Sequence, residues 1–427
     1  MLDIRLLREK PDFVKERLAT RGSSDAGTAV DEILACDTRR RRAETELQNR
    51  NAERNRLSKE IGGKRKLGEP TADLEAQVRG IGDDITALNK EAAAADEEQR
   101  RLLLNVPNLP HPGAPLGKDA ADNPVVRTWG EPPTFPAGQE PVDHLALGAR
   151  LGLFDLERAA KISGSGFVCF TGQGARLERA LISFLLDLHS TEHGYTEIAP
   201  PFVIRRACMF GTNQLPKFEE DMYGLEENSL FLTPTAEVPV TNLHREEILP
   251  ADALPKKFCA YTPCFRREAG SAGRETRGLI RVHQFDKVEL VKLTTPETSY
   301  DELEKLTADA ERVLQLLGLH YRTIELCTGD VGFGSAKTYD IEVWAPAQKA
   351  YLEVSSCSNF EEFQARRMNL KFKDAATGKN RFCHTLNGSG TALPRLYVAL
   401  LESGQQPDGS LLLPPPLHRY MGTDRIG

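Results

Sequence analysis

The sequence predicts an α+β protein: a largely antiparallel β-sheet domain flanked by helices, preceded by a long antiparallel α-helical hairpin. Three observations carry this expectation. Residues 31–104 hold a heptad pattern broken once in the middle. Eight prolines then fall between Val106 and Gly138. Beyond them, short alternating apolar runs neighbour one another while the helical patterns stand apart.

Taken in order, residues 1 to about 25 read as a short helix and a turn. In the second half of the hairpin, Leu74, Val78, Ile81, Ile85, Leu88, Ala92 and Ala95 are spaced 4, 3, 4, 3, 4, 3, a heptad seam. The first half keeps the spacing from Ile33 and Cys36 to Leu57 and Ile61, but Arg40, Arg50 and Arg54 interrupt it. The breaker-rich stretch GGKRKLGEPTAD lies between, so two helices of about 30 residues are expected, each about 45 Å long. One narrow apolar stripe cannot join a globular core, so the hairpin should project into solvent. The proline-rich stretch excludes a helix or central strand and reads as an extended linker. The domains expected are therefore 1–110, containing the arm at about 31–104, a linker at 111–139, and a larger domain at 140–427.

The formal charge is -7, which hides a local asymmetry. From Arg39 to Lys66 there are 11 Lys/Arg and 4 Asp/Glu, net +7; from Leu67 to Leu104 there are 4 and 9, net -5. The two helices can attract each other across the seam. Crowded like charges at Arg39, Arg40, Arg41 and Arg42, and at Lys64, Arg65 and Lys66, instead suit a nucleic-acid backbone. Both readings stand on charge alone.

No apolar run is long enough to span a bilayer, and MLDIRLLREKPDF has charges where a signal peptide needs its apolar stretch. No membrane association is expected, and the protein reads as cytoplasmic. The eight cysteines form no CxxC, so no structural zinc is expected. Cys383 beside His384 could be a ligand pair; buried free thiols are the plainer reading.

In the larger domain a helix is expected over Arg176–Glu192, with Leu177, Ala180, Leu181, Phe184, Leu185 and Leu188 on one face. Strands are expected near 258–266, 279–291, 338–344 and 350–356, and helices near 300–317 and 392–402. In the run from Leu279, even positions such as Val282, Val288 and Leu290 can face a core. The odd face carries Arg281, His283, Phe285 and Glu289. Arg266 and Glu268 are expected to share a face of the preceding strand, and the loop between holds Arg274 and Arg277. Arginine forks suit phosphate oxygens, an aromatic ring can stack on a purine, and carboxylates can take an exocyclic amine and an α-ammonium. A sheet face covered by surface salt bridges is the plainer alternative. His283 is expected to be a packed, hydrogen-bonded histidine.

FRREAGSAGRETRGLIRVHQFDKVE at 265–289 resembles motif 2 of the class II aminoacyl-tRNA synthetases, and within them that of the seryl-tRNA synthetase family. HGYTEIAPP at 193–201 resembles motif 1, TPTAE at 233–237 the serine loop, LEVSS at 352–356 the metal and ATP strand, and NGSGTALPRLYVALLE at 387–402 motif 3. The likeness runs in order through the whole chain. It implies ligation of L-serine to serine tRNA, with ATP as substrate, and to selenocysteine tRNA, by a homodimer.

The resemblance also implies roles. Arg266, Arg281 and Arg395 are the catalytic cations. Arg266, Arg267, Glu268, Phe285, Glu353, Val354, Ser355, Ser356 and Arg395 bind ATP, with Glu353 and Ser356 holding Mg²⁺. Thr235, Ala236, Glu237, Glu289, Asn387 and Ser389 surround serine. The seven basic arm residues, with Arg274 and Arg277, meet tRNA. Pro394 before Arg395 falls where a helix tolerates proline, in its first turn. Two rival readings are a ligase that loads an amino acid onto a carrier protein and a non-enzymatic coiled-coil scaffold. The intact basic arm opposes the first, and the complete set of site residues opposes the second.

Overall fold

The structure is a computed structural model and describes residues 1–22, 25–136, 140–269 and 278–427. It divides into two compact units, one of 2–19 with 23–107, the other of Met1, Thr20–Gly22 and Asn108–Gly427.

The smaller unit starts with helices Ile4–Glu9 and Pro11–Ala19. Helix α1 (Ala26–Leu67) and helix α2 (Ala72–Leu104) form the hairpin. At 42 residues α1 reaches about 63 Å, longer than expected, because the helix runs through Gly62 and Gly63. The break comes at Gly68, left-handed at φ 74°, whose N–H returns to the carbonyls of Arg65 and Lys64. Leu57, Ile81 and Ile85 are buried in the seam, flanked by Leu47, Leu74 and Val78. Near the base the seam is polar. Arg8 donates to Asp37 at 2.6 and 2.8 Å, Gln99 donates at 2.8 Å, and Arg40 sits 3.3 Å away. Burial alone would raise the Asp37 carboxyl; the Arg8 and Gln99 hydrogen bonds override it and hold the group down at about 2.

The larger unit is built on an eight-stranded sheet. Its strands are β1 (Val125–Trp129), β2 (Thr196–Glu197), β3 (Lys256–Phe265), β4 (Gln284–Thr294), β5 (Tyr321–Glu325), β6 (Lys337–Ala345), β7 (Ala350–Asn359) and β8 (His384–Ala392). The spatial order is β1-β5-β6-β7-β8-β4-β3-β2. Every pairing is antiparallel except that of edge strand β2 with β3.

The stretch expected as a linker is thus corrected. Between its prolines, β1 pairs antiparallel with β5 and closes the far edge of the sheet. Proline excludes a strand interior, but Val125–Trp129 contains none and an edge needs only one paired side.

Helices α3 (Gly172–Thr191), α4 (Ser299–Leu316) and α5 (Leu393–Gly404) cover one face. Leu181, Leu185, Leu306, Val313, Leu396 and Leu400 from these helices pack in one cluster with Val288 and Leu290 of β4. The other face of β4 is apolar only at its far end, where Val291 and Leu293 meet Met368, Leu370 and Phe372. The rest of that face is left for polar side chains. Among the described residues no helix is long and apolar enough to cross a membrane. All eight cysteines are free, and burial pushes the Cys383 thiol up to about 12.

Candidate active site

A cavity of about 400 Å³ lies on the other face of the sheet, floored by β4, β7 and β8. Phe285, Lys287 and Glu289 reach it from alternate positions of β4. The expected strand from Leu279 is shorter: β4 starts at Gln284, and residues 279–283 form a bent segment. Leu279 and Val282, three residues apart, are both buried there, so burial does not alternate along this segment. Likewise β3 ends at Phe265, and Arg266 and Glu268 follow it in irregular backbone.

At one end of the cavity stand the cations. Arg266 Nε donates to the Pro234 carbonyl at 3.2 Å, and its guanidinium lies 5.3 Å from the Phe285 ring centre. Glu268 has φ of 50°, a left-handed conformation that costs of order 1 kcal/mol outside glycine, and ion-pairs with Arg281. Arg395 is the third residue of α5, with Pro394 in the first turn. Its Nε donates to the Ile280 carbonyl at 3.1 Å and Nη1 to that of Glu353 at 2.9 Å. Anchored in this way, the three guanidiniums are oriented before any ligand arrives.

Glu353 and Ser356 are three apart, and strict alternation would put them on opposite faces. A bulge reconciles them: Ser355 faces Ile341 and Glu353 faces Glu342, which leaves Val354 as the extra residue. Both therefore line the cavity. Behind them Asp340, opposite Ser356 in the ladder, has a buried Oδ1 without a hydrogen-bond partner among the described residues. Burial and then the Glu353 charge push its carboxyl well above the usual range.

At the other end lies an acidic recess. Thr235 Oγ1 donates to Glu289 Oε2 at 3.1 Å and accepts from Lys287 Nζ at 2.8 Å; Lys287 also ion-pairs with Glu289. Gln364 donates to Glu237 at 2.6 Å. Burial, reinforced by the charge of Glu289, raises the Glu237 carboxyl to about 7. Ser389 lies directly across from Glu289 in the β8–β4 pair. Asn387 Nδ2 is buried and has no hydrogen-bond partner among the described residues.

Most of the expected site residues thus meet in one cavity: Arg266, Glu268, Arg281, Phe285 and Arg395, Glu353, Val354 and Ser356, and Thr235, Glu237, Glu289, Asn387 and Ser389. Three expected residues do not line it. Arg267 is exposed, its N–H bound to the Asp221 carbonyl. Ser355 is buried and donates from Oγ to the Ser389 carbonyl at 2.6 Å, because regular alternation sets it on the face opposite Ser356. Ala236 packs in the second apolar cluster. Arg274 and Arg277 lie outside the described residues.

Lys287 lines the cavity but was not among the expected residues, although its place two residues from both Phe285 and Glu289 was signal enough. Gln214 also lines it, and no sequence pattern marks that position. His283 does not line it; its Nδ1 is 3.1 Å from the Arg266 carbonyl and its ring packs on Phe167 at 5.5 Å.

On the arm, part of the basic charge is paired internally. Arg39 meets Glu98 across the hairpin at 2.8 Å, and Arg65 meets Glu75 at 2.9 Å. Arg40, Arg42 and Lys64 pair with Glu44, Glu46 and Glu60 along α1. Arg41 and Lys66 are exposed. Attraction between the helices therefore accounts for some of the charge pattern, through contacts worth little individually at such exposure.

A sheet whose ligand face is assembled from two adjoining strands and the start of a terminal helix is the class II aminoacyl-tRNA synthetase core, and residues 217–404 match the family described as tRNA synthetase class II core domain (G, H, P, S and T). Residues 1–110 match the Seryl-tRNA synthetase N-terminal domain. A serine–tRNA ligase of Akkermansia muciniphila is 61% identical over 426 residues, covering 100% of this chain and 99% of the relative. The crystal structure of seryl-tRNA synthetase from Pyrococcus horikoshii complexed with ATP is 40% identical with a TM-score of 0.94, covering 100% and 99% of the two chains. A cytoplasmic serine–tRNA ligase from Naegleria fowleri in complex with AMP is 28% identical with a TM-score of 0.88, covering 100% and 98%. The chain belongs to the seryl-tRNA synthetase family.

Proposed function

We propose that the cavity binds ATP at its cationic end and L-serine at its acidic end, and that the chain joins serine to serine tRNA through a seryl-adenylate. The observation that carries this reading is the continuity of the cavity: Arg266 and Phe285 share one wall with Thr235 and Glu289.

The serine carboxylate attacks the α-phosphorus of ATP and pyrophosphate leaves. The hydroxyl of the 3′-terminal adenosine then takes the acyl group. Neither step needs a protein nucleophile; alignment and neutralised charge lower the barrier. Arg266 holds the α-phosphate, Arg281 sits beside the triphosphate, and Arg395 reaches its γ end. Phe285 stacks on adenine and Glu268 accepts from the exocyclic amine. Glu237 and Glu289 receive the ammonium and hydroxyl of serine with Thr235, Asn387 and Ser389. Leaving those groups unpaired discriminates against alanine, by about 10⁴ where such a pocket is well built. Lys287 orients Glu289.

Glu353 and Ser356 offer hard oxygens at the cavity wall, and this donor set fits Mg²⁺. Among the described residues no group of three or more His, Cys, Asp or Glu could hold a metal alone. Mg²⁺ would take one or two protein oxygens here and complete its shell from phosphates and water. When bound it supplies neutralisation of the triphosphate charge.

The exposed arm binds the tRNA backbone through Arg41 and Lys66 together with the partly paired Arg39, Arg40, Arg42, Lys64 and Arg65; Arg274 and Arg277 meet the acceptor end. Selenocysteine tRNA is charged by the same route. The edge strand β2, with Phe202 and Val203 exposed beyond it, supports a homodimer, and a cytoplasmic location follows from the reaction.

Two measurements test this reading. In serine-dependent exchange of labelled pyrophosphate into ATP, the KM for serine should fall by about tenfold between pH 6 and 8, as Glu237 ionises through about 7 and gains its attraction for the ammonium. Glu237→Gln should remove that dependence; a flat profile in the unaltered protein rejects the role. The double change Arg41→Ala and Lys66→Ala should reduce the slope of log affinity for tRNA against log salt by about 1 to 2. An unchanged slope would leave those charges to the hairpin alone.

A further inference from the structure

His189 is fully buried on α3, against β8. Its Nε2 lies 3.2 Å from the Gly390 carbonyl oxygen, and its Nδ1 lies 3.0 Å from Nδ1 of His193, one turn on. A carbonyl can only accept, so Nε2 carries the proton. Nδ1 is then the lone-pair nitrogen, and His193 donates to it. Burial lowers His189 to about 3, which keeps the ring neutral and able to hold this tautomer. His193 Nδ1 lies 3.7 Å from Asp309 Oδ1, beyond hydrogen-bond reach, and Asp309 accepts from the Tyr195 hydroxyl at 2.8 Å.

The carbonyl at the end of this chain belongs to an irregular point in the sheet. Ser389 faces Glu289 and Thr391 faces Val288, so Gly390 is the extra residue of a bulge. Ser355 Oγ donates to the preceding carbonyl, that of Ser389, at 2.6 Å. Two successive carbonyls of the bulge are thus held by side chains from separate elements. A Cβ on Gly390 would stand 2.6 Å from His189 Nε2, so the residue is glycine because the imidazole occupies that space. The bulge matters because Ser389 lines the cavity across from Glu289.

We propose that His189, oriented by His193, is a positioning residue for serine selection: its hydrogen bond to the Gly390 carbonyl fixes the bulge that directly follows Ser389 and so holds Ser389 in place in the serine recess. It touches no substrate. The inference rests on the reading of Ser389 as part of that recess.

The test is pyrophosphate exchange by the full chain, with KM measured separately for serine and ATP. His189→Leu removes the donor at similar volume and should raise the serine KM by about tenfold, leaving the ATP KM within about twofold. His189→Gln places an amide N–H near the lost one and should restore most of the difference. Gly390→Ala, which forces a methyl into the imidazole, should give the same serine-selective defect; it serves if His189→Leu does not fold. Ser389→Ala should raise the serine KM as well. If Ser389→Ala has no effect, the recess assignment fails and takes the proposal with it. If Ser389→Ala raises the serine KM but His189→Leu or, in its place, Gly390→Ala does not, only the positioning role is overturned. A parallel rise in both KM values that His189→Gln fails to reverse marks a merely structural histidine and also overturns it.

Discussion

Replacing Arg266 with alanine should lower serine-dependent pyrophosphate exchange by about 10² to 10³-fold, the usual loss when one oriented donor to a developing charge is removed. The fold should survive, since the change deletes one hydrogen bond to the Pro234 carbonyl and a stacking contact with Phe285, together worth about 1 to 2 kcal/mol. Arg266→Lys should fall between the two. A lysine restores the charge, but a point ammonium cannot keep one nitrogen on Pro234 and present a fork to the phosphate. The decisive comparison is kcat against KM for ATP. A transition-state role lowers kcat, whereas loss of ground-state binding alone raises KM. Exchange within a few-fold of the unaltered protein for Arg266→Ala would remove Arg266 from the phosphate role.

Shortening the arm should separate the two half-reactions. Arg50 and Asp84 lie opposite each other across the hairpin, 3.5 Å apart. Deleting residues 51–83 and joining these two through a short glycine turn keeps the Asp37 network at the base. It also removes the basic tip with Lys64, Arg65 and Lys66. The efficiency of tRNA charging should fall by about 10²-fold or more, because several phosphate contacts go together. Pyrophosphate exchange should stay within about twofold, since the cavity is built wholly from the larger unit. Charging that persists undiminished would show that the arm does not grip tRNA; exchange that falls equally would show that adenylation depends on it.

Much of both units was legible because their signals are local. The heptad spacing of Leu74, Val78, Ile81 and Ile85 marks a seam whatever surrounds it, and these residues are the ones that pack between α1 and α2. The apolar face of α3 read equally well, and α4 and α5 fall where helices were expected. Boundaries were less legible. Gly62 and Gly63 looked like a break, yet each costs only about 1 kcal/mol in a helix, and a 42-residue helix absorbs that. The left-handed cap at Gly68 ends α1 instead. The prolines after the arm concealed β1, because an edge strand needs a partner and not a distinctive sequence.

The candidate site divides in the same way. Alternation along β4 is a property of the chain itself, so the shared face of Phe285, Lys287 and Glu289 was already determined by their spacing of two. Residue types and order likewise identified the kind of chemistry, arginines for phosphate and carboxylates for an ammonium. What only the tertiary structure decided is which residues escape alternation. The bulge at Val354 brings Glu353 to the face of Ser356, and the bulge at Gly390 interrupts β8 directly after Ser389 with His189 behind it. A bulge is a mismatch of register between two strands that are distant in sequence, so neither strand carries it alone. It exists only once both are paired and packed.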